Sequence, residues 1–331
     1  MNWTVGRVPT ANVQTIVNKN HGDSKLPQSG VQQQLRVSLS VVNQTPRFAS
    51  LPTANPMQGL SQHEASPSPH YRSGGLKATE CTDSFKQSML NDALLANFPY
   101  TQDISQLPEG YSTANNLANQ CIEQMGLILM EDKPGMVIDP KSGLTAAILI
   151  KKETNEVVVS FGGTTSGKKT GTNLFERSRP GKNFMTTLSQ WGANIAAGLG
   201  VEPKSYRQAR RLAGIVQGFH RGSVRIVGHS KGGGEAIYAG LGQLTPMKVT
   251  AFCPSHLNDR LAARIPEGNL DLAAEKVASF SPYGDPVSAL RGKLPGISGL
   301  GTGYHFEGTN RDPVDVHDQF LTHVRHFCEG S

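Results

Sequence analysis

The stretch that most constrains how this chain can fold is residues 224–241, VRIVGHSKGGGEAIYAGL. A β-branched run built on Val224, Ile226 and Val227 meets Gly228, His229, Ser230, Lys231 and Gly232, and small residues of helical character follow. Strand, sharp turn and helix in that order put Ser230 on a strained turn, with its hydroxyl projecting from the sheet edge. Gly228 and Gly232, two residues to either side, carry no side chain where neighbouring backbone must pass closely. The five-residue pattern alone is weak in a chain with 36 glycines. Its context supplies the specificity, because the bland alternative, a glycine-rich turn with no catalytic role, does not require a strand before and a helix after.

A chain of 331 residues can hold one large domain or two ordinary ones. Residues 1–78 contain nine Ser, eight Gln and seven Pro but only three aromatics. That is too little apolar surface to offset the entropy of ordering, so the expectation is a disordered leader ahead of a single folded domain at 79–331. No apolar h-region or membrane-length apolar run is present. In composition the leader resembles the N-terminal segments of bacterial type III secretion effectors, which would imply export into a host cell and a secretion chaperone or host activating factor as partner. A plain interaction arm is the alternative. The net charge of +6 fits an acidic partner such as a phospholipid surface. No basic run interleaved with aromatics points to nucleic acid. Cys81, Cys121, Cys253 and Cys328 are scattered without a CxxC pair, so free thiols are expected, with no metal and no cofactor.

Apolar spacing predicts a helix over residues 83–98 that stops at Pro99, and a second over 112–125 capped by Ser112. The period then changes. Three β-rich runs at 136–138, 144–150 and 157–161 are separated by turn chemistry and read as a meander feeding a buried strand. Val157, Val158 and Val159 lack alternation, as expected where both faces of a sheet are covered. Further along, helices are expected at 205–219 and 257–265 and strands at 248–252 and 277–281.

After the buried strand, Gly162, Gly167 and Lys168 nearly spell a phosphate-binding loop. Lys169 stands where Ser or Thr should hold magnesium, and the following residues are too rich in Gly, Pro and charge for a helix, which argues against a nucleotide switch. In a hydrolase the same loop has another use. A tetrahedral intermediate needs two backbone N–H donors, and Lys231, after the nucleophile, and Thr164, after the neighbouring strand, are the candidates. Lys168, Lys169, Arg177, Arg179 and Lys182, with Trp191 beyond them, could form a basic lid over an apolar pocket; a solvated loop and a buried Trp are the alternatives.

Three blocks, in order, resemble the class 3 lipases and their bacterial relatives within the α/β-hydrolase fold. Phe161-Gly162-Gly163-Thr164 is similar to that family's oxyanion segment, residues 228–233 to its elbow, and Gly284-Asp285-Pro286-Val287 to its acid turn. Gly162 departs from the usual Arg and Lys231 from the usual Leu, so the pocket beside Lys231 is expected to be more polar. The resemblance implies a mostly parallel sheet with helices on both faces, and hydrolysis of an acyl ester of membrane glycerophospholipids. Chain order agrees, since these hydrolases run Ser, Asp, His. Ser230 would be the nucleophile, Asp285 the orienting acid and His317 the base. His323 and His305 remain alternative bases, and Asp312 and Asp315 rival acids. His229 is expected to pack rather than react. A zinc site from His323, His326 and Cys328 lacks regular metal spacing. A non-catalytic lipid- or protein-binding module that keeps the fold is the other open class.

Overall fold

The computed structural model describes residues 70–163, 202–290, 296–309 and 312–330, which fall within a compact unit spanning Ala54–Ser331. Residues 1–69 of the expected leader, Thr164, and the basic stretch with Trp191 lie outside the described residues.

A nine-stranded sheet runs through the middle of this unit. Its strands are β1 (Tyr71–Gly75), β2 (Tyr111–Thr113), β3 (Met136–Asp139), β4 (Leu144–Lys151), β5 (Glu156–Phe161), β6 (Val224–His229), β7 (Lys248–Phe252), β9 (Val277–Pro282) and β11 (Gly301–Phe306). A two-stranded ribbon pairs β8 (Leu257–Asn258) with β10 (Ile297–Ser298). The order in the large sheet is β1-β11-β9-β7-β6-β5-β4-β2, with β3 also on β4. From β1 to β5 every pairing is parallel, and the pairings of β4 with β5, β2 and β3 are antiparallel. This is the mostly parallel α/β-hydrolase sheet, with the expected antiparallel meander at one side.

Side chains alternate across a strand, so a strand buried on both faces must be apolar at successive positions. In β5, Val157, Val159 and Phe161 join a core shared with helices α2 (Asn115–Met125), α3 (Lys204–Phe219) and α4 (Lys231–Leu241). Val158 joins a second core on the opposite face, made with α1 (Asp83–Thr101) and α6 (Phe320–Glu329), the last helix, which follows the short α5 (Pro313–Asp318). Phe252, Phe280, Phe306 and Phe320 fill that second core. Truncating any of these rings to Ala costs about 3–5 kcal/mol in typical cores.

Several sequence expectations need correction. Helix α1 does not stop before Pro99 but runs through it to Thr101. Proline has no N–H to give the carbonyl four residues back, and Leu95 instead accepts the Ser160 hydroxyl of β5 at 2.7 Å, so the lost bond is replaced across the helix–sheet interface. Ser112 caps no helix: it pairs with Ile150 in β2, and α2 starts at Asn115. The helix expected at 257–265 is a strand of two residues followed by a single turn, Asp259–Ala262, capped by the Asn258 side chain. The domain boundary expected at 79 also moves, because Tyr71–Gly75 is the edge strand of the sheet, bonded along its length to β11.

Candidate active site

Strand β6 ends at His229 and helix α4 begins at Lys231, leaving Ser230 alone at the turn. Its backbone is held at φ 58 and ψ −125, a strained conformation for a non-glycine residue. The surroundings fix that strain. The Ser230 N–H donates to the Phe252 carbonyl at 3.0 Å, and the Ser230 carbonyl accepts from Gly233, Gly234 and Ser255 at 3.0, 3.2 and 3.0 Å. A Cβ on Gly228 would run into the Gly232 carbonyl, and one on Gly232 into the carbonyl of Phe161, so both glycines are required by close backbone passage, as expected.

Asp285 lies in the turn after β9, where Gly284 takes φ +90 and the Asp285 N–H reaches back to Pro282 at 3.2 Å. One carboxylate oxygen, Oδ2, accepts the Ser288 N–H at 2.8 Å and also the Ser288 hydroxyl. The other, Oδ1, lies 2.7 Å from His317 Nδ1. Burial alone would raise the Asp285 pKa, but the His317 imidazole and the Ser288 donors outweigh it and hold the carboxyl below its ordinary value. Since a carboxylate only accepts, Nδ1 carries the proton and His317 Nε2 presents its lone pair. That lone pair faces Ser230 Oγ at 2.8 Å. Three groups separated by 32 and 87 residues in sequence thus form one chain of hydrogen bonds, buried throughout. The arrangement can withdraw the Ser230 proton and return it to a leaving group.

Gly163, two residues past the end of β5, lies against Ser230, where an added Cβ would crowd the Ser230 Cβ; Thr164, the next residue, lies outside the described residues. Lys231 is the first residue of α4, where the N–H has no intrahelical carbonyl to bond and the helix dipole favours negative charge. Its side chain is engaged within the fold. The ammonium donates to the Gly143 carbonyl in the β3–β4 turn at 3.0 Å and pairs with buried Glu235 at 2.5 Å, one helical turn on. Leu-to-Lys at this position therefore puts a charge beneath the elbow, tying α4 to the meander.

His229 and Tyr100 complete the surroundings. The Tyr100 hydroxyl lies 2.8 Å from His229 Nδ1 and accepts the Gly163 N–H at 2.7 Å. His229 Nε2 lies 3.0 Å from the His317 carbonyl, and its ring stacks on Phe320 with centroids 4.0 Å apart. Burial, followed by the nearby His317, drives the His229 pKa well below 6.5, so it stays neutral. Sequence reasoning assigned His229 to packing and passed over Tyr100, because no local pattern marks a tyrosine beyond an expected helix stop.

The other candidates serve the fold. His323 Nδ1 accepts the Thr309 N–H at 2.9 Å, and Nε2 lies 3.4 Å from the Asp315 carbonyl. His305 sits in β11 with its ring stacked on Tyr283. Asp312 is exposed and accepts the Asp315 N–H at the start of α5. Among the described residues, His229, Cys253 and His317 form the only His/Cys/Asp/Glu group close enough to share a metal ion, and His323, His326 and Cys328 do not converge on one. All four imidazole nitrogens of that group already face hydrogen-bond partners, so an ion there would have to break the Ser230–His317–Asp285 chain.

A family model described as a phospholipase-like, Tle-like phospholipase domain matches residues 91–304. No curated protein matches the chain by sequence. Among solved structures, lipase II from Rhizopus niveus is 14% identical, with 70% of this chain and 84% of that chain covered and a TM-score of 0.41. Lip2 lipase from Yarrowia lipolytica is 12% identical, with 72% and 82% covered and a TM-score of 0.41. A triacylglycerol lipase from Penicillium expansum is 15% identical, with 69% and 82% covered and a TM-score of 0.38. Likenesses at that level add nothing to the fold already described.

Proposed function

The chain belongs to the Tle-like phospholipase domain family, a lipase-like hydrolase family, and from that premise we propose that it is a serine-dependent carboxylic ester hydrolase acting on acyl esters of membrane glycerophospholipids. The observation that carries the reading is the buried chain from Asp285 through His317 to Ser230, with spacings of 2.7 and 2.8 Å, set at a strained elbow. In this mechanism Ser230 Oγ attacks the ester carbonyl as His317 Nε2 takes its proton. The carbonyl π electrons move onto oxygen, and the Lys231 N–H, with Thr164 as the second donor, stabilises that oxyanion. Collapse breaks the bond to the alcohol, which leaves with the proton held by His317. Water, deprotonated by the same imidazole, then releases the fatty acid and restores Ser230. Asp285 keeps the imidazole in one tautomer and stabilises the imidazolium while it lasts.

The lipid surface is reached from water in this reading. Among the described residues no helix is long and apolar enough to cross a membrane. We propose further that the N-terminal leader directs export into a host cell. A fluorophosphonate probe and phosphatidylcholine vesicles provide the test. The full chain should be labelled at Ser230 and should release fatty acid, and Ser230→Ala should abolish labelling and lower turnover by about 10⁴-fold or more without loss of the folded state. Release of fatty acid by the Ala variant at the wild-type rate would overturn the mechanism, and labelling without any release from vesicles would overturn the substrate.

A further inference from the structure

His317 is held in an unusual way for a residue that must stay aligned through two proton transfers. It sits in the last turn of a six-residue helix, α5, outside the sheet that fixes Ser230 and Asp285. Carbonyls in the last turn of a helix run short of intrahelical donors. The His317 carbonyl finds one on His229 Nε2 at 3.0 Å.

A carbonyl only accepts, so His229 Nε2 carries the hydrogen, and neutral His229 must present a lone pair at Nδ1. The Tyr100 hydroxyl, 2.8 Å away, therefore donates to Nδ1 while its oxygen accepts the Gly163 N–H at 2.7 Å. Directions along the whole path are thereby fixed: Gly163 N–H to Tyr100, Tyr100 O–H to His229, His229 N–H to the His317 carbonyl. The path begins at Gly163, two residues past β5, and finishes on the backbone of the base. Its members are buried or half-buried, and Phe320 and Gly163 leave the His229 and Tyr100 groups little room to turn.

We propose that Tyr100 and His229 are positioning residues, which lock Gly163 and the backbone of His317 to the elbow so that the base is held in register with Ser230. The inference deepens the hydrolase reading and rests on it. His229 must also remain uncharged for this purpose, because its ring lies 4.9 Å from that of His317, and a second cation there would oppose the imidazolium formed during the reaction. Tyr100 contributes to that condition, since burial keeps its phenol protonated and able to donate.

The test uses the full chain, a soluble short-chain p-nitrophenyl ester and active-site titration with a fluorophosphonate, so that rates are expressed per competent site. Tyr100→Phe, which deletes one oxygen atom, should lower kcat on the order of 100-fold with KM changed less than about twofold, the cost typical of a small misalignment of reacting groups. His229→Gln, whose amide can still donate to the His317 carbonyl, should retain several-fold more kcat than His229→Leu. The double variant Tyr100→Phe/His229→Gln should be no slower than the slower single variant, because both act through one path. If kcat per titrated site is unchanged in Tyr100→Phe and His229→Gln, or if their effects multiply, the path does not position the site. Should His229→Leu fail to fold, the other two variants and their combination still decide the matter. Failure of the wild-type chain to be labelled overturns the hydrolase reading along with this one, whereas a labelled wild type with equally fast variants overturns only this one.

Discussion

Strand β6 carries a polar cluster at each end, half-buried at its start and buried at its finish, and the two are built on different terms. At its start, the Arg225 guanidinium reaches Asp92 of α1 at 2.6 Å, Glu156 of β5 at 3.0 Å and the Tyr111 hydroxyl of β2 at 3.0 Å. Thr250 of β7 closes the ring by donating to the second Asp92 oxygen at 2.7 Å. Burial pushes the Asp92 pKa up, Arg225 and Thr250 oppose that push, and the cluster acts as a clamp between five elements. At the other end, backbone strain is added to saturation. Ser230 at φ 58 and Cys253 at φ 44 occupy the left-handed region side by side, and the hydrogen bonds there are ones a proton can cross. Helix α1 serves both, with Asp92 on the clamp and Tyr100 about 12 Å farther along its axis at the elbow. The contrast separates a polar network that stabilises from one that holds reacting groups in place, using the same residue types.

The comparison can be broken by substitutions that should each affect one end only. The largest expected effect is at the catalytic end: Asp285→Asn should lower ester turnover by about 10⁴-fold, since the amide favours the wrong His317 tautomer, while the calorimetric Tm moves by only a few degrees. A turnover loss under tenfold would show that Asp285 does not orient the base. At the clamp, Arg225→Met strands two carboxylates and should cost about 3–5 kcal/mol in urea unfolding, with kcat per titrated site within twofold of wild type. Adding Asp92→Leu should recover part of that stability, because an apolar pair needs no charge partner. If kcat falls in step with stability, the two ends are one network and the contrast fails.

The smallest expected effect is on the pH dependence of stability. His229 and His323 both have pKa values lowered by burial from 6.5, so each binds a proton more readily unfolded than folded. The stability tied to their neutral forms is present above pH 6.5 and is lost as pH falls below it, at up to about 1.4 kcal/mol per pH unit for each proton. Buried Asp92 and Glu235 have raised values and act in the opposite sense, being more easily protonated folded than unfolded. The difference between wild type and His229→Gln isolates one histidine. Unfolding free energies measured by urea from pH 7.5 to 5 should fall less steeply in the variant, and equal slopes would mean that His229 is protonated in the folded protein.

Much of the fold was written in local patterns. The β-branched runs at 136–161, 224–227, 248–252 and 277–281 became β3 to β7 and β9, because a strand covered on both faces must be apolar at consecutive positions whatever its partners. The elbow was equally legible, since Gly228 and Gly232 are demanded by backbone contacts within a few residues of Ser230 and with β5. Pro99 misled because its rule concerns the helix alone, and the replacement donor, Ser160, is 65 residues from the Leu95 carbonyl that it reaches. The partners of Lys231 were illegible for the same reason: its spacing showed a departure from the lipase pattern, but not that the ammonium meets Gly143 and Glu235.

By itself, then, the sequence determined most of the strands and the turn that strains Ser230, because these follow from periodicity and backbone sterics. Only the tertiary structure decided which histidine meets Ser230, that residues 71–75 belong to the sheet, and that Tyr100 reaches His229 across a separation of 129 residues. The physical reason is one of range. Steric and periodic signals act over a few residues, whereas a hydrogen bond between distant side chains forms only when the parallel sheet has carried its strand ends to the same edge and the helices on either face have fixed how deeply each side chain lies.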